Sequence, residues 1–179
     1  MMDKRTEFFG WFKQQGLDNI ELWLEEFELA EKGMEKAMIN VALLYKQYGF
    51  FEEMYNLLTT VSEHKNSEAM YELANCYIEG LGGKGSEQQA FSLYKDAANL
   101  GHRDAMNNLA DMYFNGEATE VDEKKAFLWF EKAAKHGVPE AMYTLGIMYE
   151  QGLGTQCNAS LALEYYKRSA DLQYAEAKY

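Results

Sequence analysis

The sequence predicts an all-α protein, an α-α superhelix (solenoid) of stacked antiparallel helix pairs, and three observations predict it. The phrase from Ala69 to Gly80 recurs from Ala105 to Gly116 and from Ala141 to Gly152, offset by 36 residues each time. A second phrase holds the same offset: Ala90, Tyr94, Ala97 and Ala98 recur as Ala126, Phe130, Ala133 and Ala134, then as Ala162, Tyr166, Ser169 and Ala170. In both phrases the apolar residues fall at i, i+4, i+7 and i+8, which places them on one helical face. A fixed period with two such stripes means two helices per unit, neither of which can bury its stripe without a neighbour.

The elements follow in chain order. Residues 4–15 make a first helix ended by Gly16, and Asp18 with Glu21 can cap a second that runs to about Lys32. Phe8, Phe9, Trp11, Phe12, Trp23 and Phe27 load this 1–33 segment with aromatic rings. A terminal unit must cover an open core face, so the segment reads first as capping helices and second as a partner patch. A short unit at 34–66 carries Val41, Ala42 and Tyr45 where Leu73, Ala74 and Tyr77 stand later, with a loop at Tyr48–Phe51 that is four residues shorter. Regular units span 67–102, 103–138 and 139–174. Their turns carry helix punctuation: Ser86 with Gln89 as a capping box, Asp122 and Asn158 as N-caps, and Gly101 and Gly137 as left-handed helix ends. At the last of these places glycine gives way to Gln173, and Glu176-Ala177 opens what reads as a truncated further repeat at 175–179, as in a fragment of a longer protein. An uncapped last face predicts possible self-association there. Small residues such as Ala74 and Ala98 mark close backbone approach, so a larger side chain at either costs roughly 1–3 kcal/mol.

Composition narrows the function. The 179 residues carry 29 Asp/Glu against 17 Lys/Arg, a net charge of −12 shared by both halves of the chain. That surface repels phosphate backbones and anionic lipid, which disfavours nucleic acid and membrane partners, and it steers basic partners in. No run of about 18 apolar residues is present for a membrane span, and no apolar stretch follows the charged start, so a cytoplasmic protein is expected. Cys76 and Cys157 lie 81 positions apart without metal spacing and read as ordinary thiols, with no metal or cofactor expected.

The pattern Ala-x-x-x-Leu-Ala/Gly-x-x-Tyr-x-x-Gly, a loop such as Val121–Ala126, and Tyr/Phe-x-x-Ala-Ala-x-x-Gly resembles the Sel1-like repeat, a relative of the tetratricopeptide repeat. The resemblance covers 67–179 strongly and 30–66, where the unit has the shorter, TPR-like loop, loosely, with the residues before that outside it. It implies a non-enzymatic module that binds another protein, a scaffold or adaptor. The alternative is an inhibitor or immunity-type protein that neutralises a toxin; a remote alternative is a β-lactam-binding enzyme, as proposed for cysteine-rich relatives with paired cysteines in each repeat. Here Cys76 stands where the sister units have Met112 and Met148, a pattern of core packing. His64, His102 and His136 share no repeat position, and His136 suits the negative end of a helix.

The resemblance also implies that the first helices of successive units line a concave groove. The off-stripe places there hold Tyr71, Glu72, Asn75, Ile78 and Glu79; then Asn107, Asn108, Asp111, Phe114 and Asn115; then Tyr143, Thr144, Ile147, Glu150 and Gln151. Asparagine can both donate to and accept from an extended backbone, and aromatic rings supply contact area at low entropy cost. The set holds no Lys or Arg, which predicts a neutral or basic peptide or protein as partner and excludes acidic tails.

Overall fold

The computed structural model describes residues 4–16 and 23–177, with side chains through Leu172. Among the described residues ten α-helices follow one another: α1 Lys4–Gln14, α2 Leu24–Glu31, α3 Glu35–Gln47, α4 Phe51–Glu63, α5 Ser67–Ile78, α6 Glu87–Asn99, α7 Arg103–Asn115, α8 Glu123–Lys135, α9 Pro139–Gln151 and α10 Ala159–Ala177. No strand occurs among the described residues. From α2 onward each helix packs on the next in the chain, the arrangement of a helical solenoid. The cap expected from Asp18 and Glu21 lies outside the described residues.

The stripes are where the period puts them. Ala69, Leu73, Ala74 and Cys76 of α5 are buried, as are Ala105, Leu109, Ala110 and Met112 of α7 and Ala141, Leu145, Gly146 and Met148 of α9. On the second helices Ala90, Tyr94, Ala97 and Ala98 are matched by Ala126, Phe130, Ala133 and Ala134. In α10 the pattern changes: Ala162 and Ser169 are buried but Ala170 is exposed, because no helix among the described residues covers the side on which Ala98 and Ala134 are packed. The Ser169 hydroxyl donates to the Pro139 carbonyl at 2.8 Å, so the one polar residue of this stripe is satisfied.

The aromatic load of the first segment is spent inward. Phe8 is fully buried, with ring centroids 5.0 Å from Tyr45 and 4.9 Å from Phe50, both edge-on. Phe9 meets Phe27 edge-on at 4.9 Å. Edge-to-face pairs of this kind add to the hydrophobic gain, and together they close the core of the short unit.

One backbone bond closes each helix pair from α3 and α4 onward. The N-cap residue of the second helix donates to the carbonyl of the repeat tyrosine: Ser86 to Tyr77 at 3.2 Å, Asp122 to Tyr113 at 2.8 Å and Asn158 to Tyr149 at 2.8 Å. The short unit makes the same bond from Phe50 to Tyr45 at 2.9 Å, so its missing four residues shorten the loop and leave the closure intact. Ser86, Asp122 and Asn158 cap as expected, their side chains accepting from Gln89, Lys125 and Leu161. The capping box at Ser86 is only half formed: its reciprocal half would use the Ser86 N–H, which Tyr77 already takes.

Two further departures have physical reasons. At the places of Gly101 (φ +94°) and Gly137 (φ +81°), which end α6 and α8, α10 has Gln173 and the helix runs on to Ala177. A side chain does not easily take the left-handed turn that glycine allows. Within the inter-helix loops, Gly82 (φ +58°), Ala118 (φ +57°) and Gly154 (φ +65°) fall 36 residues apart with the same left-handed backbone. Ala118 holds there a conformation that costs an L-residue about 1–2 kcal/mol. Ala118→Gly is expected to raise stability by about 0.5 kcal/mol once the entropy of glycine is set against that strain, a difference measurable by urea unfolding.

Candidate functional site

The fifteen off-stripe residues lie on α5, α7 and α9 or at their ends, and the structure sorts them. Tyr71, Asn107 and Asn108 come together with Asp104, Val138 and Glu140 around a surface hollow of about 250 Å³ between the first helices. Ile78, Asn108 and Asp111 meet Tyr94, Met112 and Glu117 around a smaller one of about 140 Å³. Asn108 belongs to both, so the two hollows adjoin. Neither is lined by a lysine or arginine.

The remaining candidates are largely occupied within the chain. Asn75 Oδ1 accepts from the Tyr94 hydroxyl at 2.6 Å, and Glu150 from the Tyr166 hydroxyl at 2.8 Å. Thr144 spends its hydroxyl on the Glu140 carbonyl, and Asn115 donates to Glu117. Phe114 packs on the core, its ring 6.5 Å from that of Phe130. Tyr143 is exposed and 5.5 Å from the Tyr166 ring; Ile147 is half-buried and Gln151 exposed. Glu79 is held by Lys46 at 2.7 Å, a cation from α3 that a search confined to the repeat phrase does not reveal. Burial raises the carboxyl of Glu72 above its ordinary value, while Lys46 pulls it down.

Asp111 is the most perturbed acid. Burial, reinforced by the charge of Glu117, pushes its carboxyl up to about 6. A comparison of units explains why. Asp111 takes the place of Asn75, but the residue 36 positions after Tyr94 is Phe130, which has no hydroxyl to offer; Asn107 Nδ2 donates to Asp111 at 3.1 Å. Because the folded carboxyl binds its proton more tightly than the unfolded one, stability falls as pH rises from about 4 through about 6. Asp111→Asn is expected to flatten that fall and to add about 1 kcal/mol at pH 7, a figure reduced for partial solvent exposure. Phe130→Tyr is expected to act in the same direction by donating a hydroxyl to Asp111, lowering the carboxyl pKa in an NMR titration.

Three residues around the hollows escaped the sequence pattern. Asp104 and Glu140 occupy the place just before the phrase alanine, outside the off-stripe set, and Glu117 lies in a loop. His102 was also missed: it caps α7, its Nδ1 accepting from Ala105 N at 3.2 Å and its Nε2 donating to Glu68 at 3.0 Å, with the ring stacked 4.4 Å from Tyr71. His136, by contrast, sits where expected, at the end of α8, with Nδ1 2.9 Å from the Lys132 carbonyl.

Cys76 is fully buried, its thiol pushed up to about 11 by burial, and Cys157 is exposed. Among the described residues no group of three or more His, Cys, Asp or Glu is placed to hold a metal, and no helix is long and apolar enough to cross a membrane.

Comparison with known proteins agrees with the helical-repeat fold. No curated protein matches the chain. Among solved structures, a protective antigen of uropathogenic Escherichia coli with an SLR fold superposes with a TM-score of 0.79 at 27% identity over 83% of this chain. The chain spans only 33% of that antigen's length. A Sel1 repeat protein from Oxalobacter formigenes superposes with a TM-score of 0.79 at 23% identity, covering 91% of this chain and 70% of that one. Helicobacter pylori cysteine rich protein B gives 0.52 at 21% identity, covering 64% of this chain and 87% of that one. The Sel1 repeat model matches residues 67–102, 103–138 and 139–174, more than half of the sequence, and the chain therefore belongs to the Sel1 repeat family.

Proposed function

We propose that this chain is a protein-interaction module that receives a neutral or basic peptide or protein on the face formed by α5, α7 and α9. Sel1 repeat proteins are in general protein-interaction modules, and the reading extends that role to a surface and a partner class. The observation that carries it is the pair of adjoining hollows, built from side chains of successive first helices, sharing Asn108 and lined by no basic residue. Asparagine amides suit an extended backbone, and the surrounding negative charge raises the encounter rate of a basic partner at low salt. The cytoplasm is the proposed setting, in keeping with two unpaired thiols.

The test is affinity capture from the source lysate. The Asn107→Lys/Asp111→Lys double variant reverses charge on the proposed face; Asp96→Lys, on the exposed side of α6, is the control for charge alone. Both are first shown to melt cooperatively. The expected result is that the control retains the captured protein and the double variant loses at least about tenfold in affinity. Equal capture by a folded double variant places the partner elsewhere.

A further inference from the structure

The first helices are linked at their N-terminal ends by a ladder of side-chain bonds, and the ladder has a missing rung. At the first step Glu35 of α3 accepts from Asn66, the N-cap of α5, at 2.8 Å, and Asn66 in turn accepts from Ala69 N. At the second, Glu68 of α5 accepts from His102, the N-cap of α7, at 3.0 Å. The residue 36 places after Glu68 is Asp104 and the residue 36 places after His102 is Val138. Val138 caps α9 without any side-chain bond, so Asp104 has no acceptor role there.

The neighbouring positions change with it. Tyr71, which stacks on His102, is replaced one unit later by Asn107. Asn107 gives its Nδ2 to Asp111, while its Oδ1 is buried without a hydrogen-bond partner. A buried acceptor left unsatisfied is costly, and such a group in a native protein calls for an explanation. The place of the missing rung is the 250 Å³ hollow, where the carboxylates of Asp104 and Glu140 border Asn107 and Asn108. Its polar wall is rich in acceptors and poor in cations. Arg103, beside Asp104, stands with Nε 3.7 Å from its carboxylate in a pair more than 40% exposed at both ends, too long for a hydrogen bond and weakly held.

We propose that this hollow seats one arginine side chain of the partner protein, which supplies the absent rung between α7 and α9. A guanidinium carries five N–H donors in a planar fork, so it can serve the Asp104 and Glu140 carboxylates together and, once the Asn107 amide turns its buried carbonyl oxygen toward the hollow, that oxygen as well, where an ammonium is a point charge. Val138 and the Tyr71 ring offer apolar surface to its methylene stem. The net charge of −12 draws such a group in, and seating it would satisfy the orphaned acceptor. The inference rests on the first-helix face being the binding face and names the group that anchors there.

The test is an NMR titration of the full chain, labelled with nitrogen-15, with the peptide Ac-Ala-Ala-Arg-Ala-Ala-NH2 and with its citrulline counterpart, an uncharged near-isostere. The Asp104→Asn/Glu140→Gln variant, which keeps side-chain shape at partly or fully exposed positions, is titrated alongside. The expected result is saturable shifts of the Asn107 and Asn108 side-chain amides with the arginine peptide, and an affinity lower by about tenfold with citrulline or in the variant. Equal shifts from both peptides at those amides overturn the arginine seat and leave the binding face standing. Shifts spread over the acidic surface and unchanged in the variant overturn the seat as non-specific attraction. Absence of any shift on α5, α7 and α9 overturns both.

Discussion

Phe130→Ala is expected to lower the free energy of unfolding by about 3–5 kcal/mol, the cost of emptying a large, fully buried ring site. Phe130 belongs to the core shared by α6 through α9, which contains Leu109, Ala110, Ala133, Ala134 and Leu145. Ala110, Ala133 and Ala134 in that cluster are too short to reach into the gap, so collapse of the cavity is only partial and a large share of the cost remains. Because each unit of a solenoid is stabilised mainly by its neighbours, the loss in the middle unit uncouples those on either side. The unfolding transition, followed by circular dichroism in urea, is expected to move to lower denaturant and to broaden.

Gly154→Ala is expected to cost about 2–4 kcal/mol, combining left-handed strain with overpacking. At φ +65° a Cβ on this residue would run into the carbonyl of Glu123 and stand 3.1 Å from Lys124 N, backbone atoms at the start of α8 that cannot swing aside. The Gly154 N–H donates to the Glu123 carboxylate at 3.3 Å, so the loop between α9 and α10 is docked on the preceding unit. The same place in the unit before holds Ala118, whose carbonyl accepts from Gln88 of α6 at 2.8 Å with the methyl group accommodated. Thus one methyl group is borne at 118 and costly at 154, and thermal unfolding of Gly154→Ala beside Ala118→Gly measures the contrast directly. Equal shifts in the two variants would refute the docking argument.

The fold was legible because its information is periodic. Leu73, Leu109 and Leu145 announce the same buried place three times, and Ser86, Asp122 and Asn158 announce three helix starts through residue types whose side chains accept from the backbone. Residues outside the standard capping set did not announce theirs: His102 caps α7 with a ring nitrogen, and only its position 36 residues after Asn66, itself a cap, carries the signal.

The candidate site was legible in part. Helical spacing places Tyr71, Asn107, Asn108 and Asp111 off the buried stripe, and the structure gathers them at two hollows. Spacing does not show which off-stripe groups are already engaged, as Asn75 is by Tyr94 and Glu79 by Lys46, since those partners come from other helices. Nor does it show that an acid such as Asp111 is desolvated, which depends on Phe130 standing where Tyr94 stands one unit earlier. Asp104 and Glu140 were passed over because they lie one place outside the phrase, at the helix ends, where neighbouring units come close enough to share side chains.

The most direct measurement is hydrogen–deuterium exchange of the chain alone and bound to its captured partner. First and second helices alternate along the sequence, so the footprint resolves the two faces. The account predicts added protection in residues 67–78, 103–115 and 139–151, strongest where Asn107 and Asn108 sit, with 87–99, 123–135 and 159–172 unchanged. Protection confined to the second helices would contradict it.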